Sequence, residues 1–280
     1  MTGRETLPLD IVTICKADRW VDDVLPRFAA LVDANCSGLV RRHLRLVTDP
    51  AAAAAEEGRM VAKLLSQGWH TVVCRPLDEA GPRLLAFDTL RAALLADFGL
   101  GEALYMDPDT DVVADLQGIQ RIAPAADLLW VANPVLLEPV LADLRRQGLE
   151  PHGGPDHPVL LEPGFLYLRR DLGEEFDAAR RRFPEANSFA AGSTYWNMVM
   201  LSLGAAAVRL PDEFNRTFWD LPAAVTQART VHFTGQWKRL RPYVEYQRPD
   251  RRLVLRPDRV VRPRATSGRG PAALSVIALY

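Results

Sequence analysis

An α/β fold is predicted, with a mostly parallel central sheet and helices on its faces. Two observations predict it. Short apolar, β-branched runs alternate with stretches of helical apolar spacing between residues 9 and 131, and turn residues separate one from the next. Such alternation favours parallel strands covered on both sides.

The elements follow in order. Leu9–Cys15 reads as a buried first strand. Asp22–Val32 has Val24, Leu25, Phe28, Leu31 and Val32 on one helical side. Leu44–Thr48 is a second strand, after which Asp49 and Pro50 supply an N-cap and an N1 proline for an alanine-rich helix. Thr71–Cys74 is a third strand. Leu84–Phe98 is a helix closed by Gly99. Ala103–Met106 and Leu128–Val131 are the fourth and fifth strands. Residues 147–163, rich in proline and glycine, read as a long loop. Gly164–Leu168 returns as a strand, helices follow at Gly173–Arg182 and Thr194–Leu203, and Ala207–Leu210 and Thr230–Phe233 are the last strands. No linker divides the chain. Residues 1–242 are expected to form one domain, and 243–280 a basic, proline-broken extension.

Composition excludes several classes. The 280 residues are 48% hydrophobic and 25% charged, which marks a globular chain rather than a disordered or fibrous one. A net charge of −1 argues against a nucleic-acid binder. Cys15, Cys36 and Cys74 stand far apart, without zinc-ligand spacing, and their odd number fits a reducing compartment. No leader-type apolar segment opens the chain and no apolar run reaches membrane-spanning length, so the expected location is cytoplasmic. From Lys238 to Arg269, eleven basic residues face three acidic ones. That surplus suits peripheral contact with an anionic inner-membrane face or an acidic polymer; a solvated tail is the competing reading.

Two segments carry chemistry. Tyr105-Met106-Asp107-Pro108-Asp109-Thr110-Asp111 places three acids at alternate positions past a buried strand. In open parallel sheets, ligands bind beyond the carboxyl ends of the strands. Acids two apart can converge on a hard cation such as Mg²⁺ or Mn²⁺, whose remaining positions suit phosphate oxygens. The competing reading is a solvated acidic turn that caps the next helix. A DxDxT phosphatase nucleophile is a poor match, because Asp111 stands where threonine is needed and the motif lies deep in the chain. The second segment, Thr230 to Lys238, ends a strand at His232, turns at Gly235 and brings Lys238. Imidazole ligates Mn²⁺-class ions and lysine pairs with phosphate.

Together with the strand at Ile11–Cys15, the run Gly164–Leu168 and the stretch Leu210–Asn215, these motifs resemble GT-A-fold glycosyltransferases, and glycosyltransferase family 8 in particular, over residues 9 to 242. The resemblance implies that Asp107, Asp109 and His232 hold a divalent metal, Mn²⁺ or Mg²⁺. It implies that Gly235 and Lys238 meet the diphosphate of a nucleoside-diphosphate sugar, with a UDP-sugar the expected donor. It places Arg91 at the donor sugar and phosphates, and Thr13, Cys15 and Asp18 at the base. It implies transfer to a hydroxyl of a saccharide or other acceptor, with retention of configuration. An inverting route would need a base, for which Asp156, His157 and Glu162 are candidates.

The chain departs from the family on the sugar side. Glu162-Pro163-Gly164 stands where the family has Asn-x-Gly. Gly192-Ser193-Thr194-Tyr195-Trp196-Asn197 stands where the family carries an acid or amide beneath the anomeric carbon, and only the asparagine remains. Two alternatives therefore stay open: a sugar nucleotidyltransferase on a related fold, and a catalytically silent nucleotide-sugar-binding protein. Cys15-Lys16-Ala17-Asp18-Arg19 lacks the glycines a nucleotidyltransferase loop would need.

Overall fold

A computed structural model describes residues 8–18, 20–49, 54–76, 83–133, 137–186, 190–217, 227–233, 241–247 and 252–255. In chain order, the first half contains β1 (Leu9–Lys16), α1 (Trp20–Asp23), α2 (Leu25–Asn35), β2 (Val40–Thr48), α3 (Ala54–Ser66), β3 (Thr71–Pro76), α4 (Arg83–Ala92), α5 (Leu94–Phe98), β4 (Ala103–Met106), β5 (Thr110–Val112) and β6 (Leu128–Ala132). The second half adds α6 (Glu138–Arg146), β7 (Leu161–Leu168), α7 (Gly173–Arg182), α8 (Ala191–Leu203), β8 (Ala207–Arg209), β9 (Arg216–Thr217), β10 (Thr230–His232), β11 (Val244–Gln247) and β12 (Arg252–Leu255).

The central sheet has seven strands in the order β3-β2-β1-β4-β7-β6-β8. The pairs β2–β3, β1–β2, β1–β4 and β6–β8 are parallel, whereas β7 runs against both β4 and β6. The expected mostly parallel sheet is therefore present, with β7 inserted in reverse. A small sheet, β5-β10-β9, sits past the end of β4, and β11 and β12 form a hairpin.

Strand alternation divides the core in two. Val12, Ile14, Tyr105, Leu166 and Leu168 face a cluster that takes in Val140, Phe176 and Trp196 from α6, α7 and α8. Ile11, Cys15, Leu104, Met106, Phe165 and Tyr167 face the other side, with Leu25, Phe28 and Val32 of α2. Among the described residues, no helix is long and apolar enough to cross a membrane.

Two predicted helices are broken. The helix expected over Asp22–Val32 begins at Trp20, breaks at Val24 and resumes as α2, because Pro26 has no N–H to continue the ladder. The helix expected over Leu84–Phe98 breaks at Ala93, a position with neither glycine nor proline. Tertiary partners make that break possible. Buried Arg45 donates to the carbonyls of Leu90 and Ala93, Leu172 N–H donates to Ala92 O, and the Asp171 carboxylate accepts from the Leu95 and Ala96 N–H groups that open α5. The strand expected from Gly164 starts at Leu161 instead. The predicted N1 proline, Pro50, lies outside the described residues, and the helix after it is described from Ala54.

Candidate metal and diphosphate site

The acidic turn is built at the carboxyl end of β4. Asp107 N–H donates to Gly164 O of β7 at 2.9 Å, and Thr110 N–H donates back to Asp107 O at 3.0 Å, which closes a tight turn over Pro108 and Asp109. The chain then enters β5 rather than a helix. There β10 pairs with it antiparallel, His232 opposite Thr110, and Phe233 N–H donates to Asp109 O at 3.2 Å. This pairing delivers His232 to the two acids. Its Nε2 lies 3.4 Å from Asp109 Oδ1 and 3.8 Å from Asp107 Oδ2. One ligand atom from each of the three residues falls within 4.8 Å of the others. Asp109 and His232 are each only 2% exposed, so the reading of this turn as a solvated helix cap is set aside.

Asp111 does not join them. It is fully buried and turned toward α2 and the C-terminal segment, where it accepts from Arg27, Arg241 and Tyr246. The sequence places three acids at alternate positions; the turn at Asp107–Thr110 brings the first two together and sends the third elsewhere.

Gly164 packs against this cluster. A Cβ there would lie 2.6 Å from His232 Cε1, 2.9 Å from Asp107 Oδ2 and 3.1 Å from Glu162 Oε1, so only glycine lets the three side chains close together. Glu162 Oε1 accepts from Gly164 N–H at 3.0 Å. Burial pushes the Glu162 carboxyl up, with His232 opposing the shift. Burial pulls the His232 imidazole down, but the hydrogen bond to Asp109 and the charges of Asp109, Glu162 and Asp107 outweigh it and hold it above its ordinary value.

Arg91 connects the acidic turn to α8. Its guanidinium donates from Nη2 to Asp107 Oδ1 at 2.8 Å and from Nη1 to Asp88 Oδ1 at 2.6 Å, and it lies 5.0 Å from the ring centre of Tyr105. The Tyr105 hydroxyl donates to the same Asp107 oxygen. Burial alone would lower the Arg91 pKa, but Asp107, Tyr105 and Asp88 raise it well above, so the group stays charged. Asp88 also accepts from Trp196 Nε1 at 3.2 Å, and burial pushes its carboxyl up. A Cβ on Gly192 would overlap Oδ2 and Cγ of this carboxylate.

The other predicted residues are distributed as follows. Thr13 and Cys15 are buried in β1, and the Cys15 thiol donates to Lys16 O at 3.4 Å. Burial, with Asp18 and Asp109 nearby, pushes that thiol far up, so it remains a thiol. Asp18 caps the first helical turn by accepting from Trp20 N–H at 2.9 Å. Gly235 and Lys238 lie outside the described residues, although the chain on either side, at His232 and at Arg241, contacts the acidic turn. Of the three candidate bases, Asp156 and His157 are exposed and Glu162 stands against the cluster. Asn197, the residue retained from the family motif, is spent internally: it accepts from Leu161 N–H and donates to Ser193 O.

Sequence reasoning missed Asp88 and Arg241. Asp88 had a legible signal, since it lies three residues before Arg91 on the same helix and such pairs share a face. Arg241 had none, being one of many arginines in a basic stretch.

No protein-family model and no curated sequence matches the chain. Solved structures do. The galactosyltransferase LgtC in complex with donor and acceptor sugar analogs is 12% identical and superposes with a TM-score of 0.59, covering 84% of this chain and 89% of that one. An active-site mutant of LgtC gives 13% identity and 0.56, covering 81% and 88%. Mouse xyloside xylosyltransferase 1 in its apo form gives 10% identity and 0.54, covering 81% of this chain and 97% of that one. These likenesses establish the GT-A fold.

Proposed function

We propose that this chain is a metal-dependent glycosyltransferase that moves a sugar from a nucleoside-diphosphate sugar, with a UDP-sugar as the expected donor, to an acceptor hydroxyl. The observation that carries the reading is the convergence of Asp107, Asp109 and His232 at the carboxyl end of β4 in a GT-A fold. Two carboxylates and an imidazole are a fitting donor set for Mn²⁺ or Mg²⁺. The surrounding charge agrees. Asp107 and Asp109 lie side by side next to His232, and a diphosphate brought against two carboxylates needs a cation to offset the repulsion.

A divalent ion bound here would stabilise negative charge on the departing nucleoside diphosphate. The remaining tasks fall to the chain. Asp107 and Asp109 orient their carboxylates from a turn fixed between β4 and β5. Arg91, held on both sides by carboxylates, presents a charged guanidinium without having to reorganise during the reaction. Lys238 supplies a point charge to the diphosphate, as the resemblance implies. On the sugar side, Gly192 stands where the family has an acid, and Asp88 fills the room a side chain there would need. We read Asp88 as the replacement, supplied from α4 instead of α8, and retention of configuration as the outcome.

The test is a panel of nucleotide sugars incubated with the protein and Mn²⁺, with and without chelator, scored for release of nucleoside diphosphate. Metal-dependent release from one sugar nucleotide supports the reading. Pyrophosphate formation from a sugar phosphate and a nucleoside triphosphate would make the protein a nucleotidyltransferase instead. Binding without turnover across acceptors would make it a silent binding protein.

A further inference from the structure

Asp109 is flanked by two backbone carbonyls that accept from one guanidinium. Arg241 donates from Nη1 to Pro108 O at 2.7 Å and from Nη2 to Thr110 O at 3.3 Å. Its Nε donates to Asp111 Oδ1 at 2.7 Å, and the side chain is almost wholly buried. All three bonds therefore end on residues 108–111, the turn that carries the convergent acids.

The charge of Asp111 is met from two sides. Asp111 faces Arg241 on one side and Arg27 of α2 on the other, with Arg27 Nη2 2.6 Å from Oδ2, and Tyr246 of β11 donates its hydroxyl to Oδ2 at 2.9 Å. Arg27 Nη2 also donates to Val244 O at 3.0 Å. Val244 itself is buried with Val113, Ala228, Val231 and Phe233 under the small sheet. Residues 241–247 are thus tied to the acidic turn through its backbone, through Asp111 and through a local apolar cluster.

We infer that Arg241 is a positioning residue for the metal ligands: by bonding the carbonyls before and after Asp109, it fixes the backbone of that residue and so the direction of its carboxylate. The inference rests on the reading of Asp107 and Asp109 as ligands. The chemistry requires arginine. A planar guanidinium offers several donors in a fixed fork and can reach two carbonyls and a carboxylate at once. A lysine ammonium at the end of a flexible stem would keep the charge beside Asp111 but not the fork. Asp111 keeps Arg27 and Tyr246 when Arg241 is replaced, so the buried carboxylate is not stranded. The consequence is that part of the basic C-terminal stretch belongs to the site, and Arg241 is not available to an outside anionic surface.

The experiment uses the full chain with Arg241→Met and Arg241→Lys, each checked for folding by near-ultraviolet circular dichroism; the lysine variant keeps the charge and so serves if the methionine variant unfolds. Hydrogen exchange of the Asp109–Val112 amides is measured without metal, and Mn²⁺ affinity is measured by titration. Both variants should exchange these amides faster, on the order of tenfold. Both should bind Mn²⁺ more weakly by about 10–100-fold, the usual cost of losing a group that orients a ligand. A merely structural Arg241 would lower the melting temperature while Mn²⁺ affinity of the folded protein stayed put. Wild-type exchange in both variants, or faster exchange with wild-type Mn²⁺ affinity, overturns the inference. Absence of Mn²⁺ binding by the unsubstituted protein is a separate result, and it sinks the metal reading itself.

Discussion

Gly192 and Asp88 occupy one space: the carboxylate of Asp88 on α4 stands where the side chain of residue 192 on α8 would project. The pair is held by Trp196, one turn further along α8, whose indole N–H donates to Asp88, and by Arg91, which joins Asp88 to Asp107. On the proposed reading, the acid that the resemblance expects at residue 192 is supplied by Asp88 from the neighbouring helix.

This complementarity makes a relocation test possible. Asp88→Gly should lower transfer by on the order of 100-fold while leaving nucleoside-diphosphate binding within a few-fold, because the lost group acts at the sugar. Gly192→Asp alone should be destabilising, since two carboxylates would compete for one buried site. The double variant, with the carboxylate returned from α8, should recover transfer by about tenfold over Asp88→Gly. A double variant no more active than Asp88→Gly would assign Asp88 to structure.

Metal dependence is the second expectation. Asp107→Asn and Asp109→Asn should each abolish transfer and Mn²⁺-dependent nucleotide binding. The variants keep the shape of the side chain, and Asp88 still pairs with Arg91, so near-ultraviolet circular dichroism should still show a folded protein. Full activity of either variant in the presence of a chelator would remove the metal role.

Lys238 is expected to act on phosphate. Lys238→Met should weaken binding of a nucleoside diphosphate by on the order of tenfold and leave the free nucleoside nearly unaffected, since a point charge acts where the phosphates are. Calorimetry with both ligands measures this, and equal losses would count against the assignment.

Acid stability follows from Asp97. Burial pushes its carboxyl up, but the hydrogen bond from Arg75 and the charge of Arg45 more than offset this and hold it below its ordinary value. A carboxylate depressed in the folded state adds stability that is fully present above its unfolded pKa, about 3.9, and is lost as pH falls through the folded value. The gap in urea midpoint between wild type and Asp97→Asn should therefore be widest near neutral pH and close below about pH 4. A gap that is the same at both ends would mean the ion pairs contribute nothing net.

The sequence by itself determined the fold class and the order of elements along the chain; the resemblance it carries pointed to Asp107, Asp109 and His232, and the tertiary structure brings the three together. Period-two and helical spacing show which residues share a face, and the Asp-x-Asp turn and the strand-ending histidine each have a local pattern. The break at Ala93 was not legible, because nothing in Leu90–Leu95 forbids a helix; Arg45 and Asp171, far away in sequence, satisfy the groups the break exposes. The divergence of Asp111 from Asp109 was not legible either, because the partners that draw it inward, Arg27 and Arg241, come from opposite ends of the chain. The meeting of Asp88 with Gly192 was not legible: the spacing of three residues pairs Asp88 with Arg91, but nothing in the sequence brings it to α8. A carboxylate's role depends on what it is buried against, and burial is a property of the assembled sheet and helices, decided only when segments distant in sequence pack together.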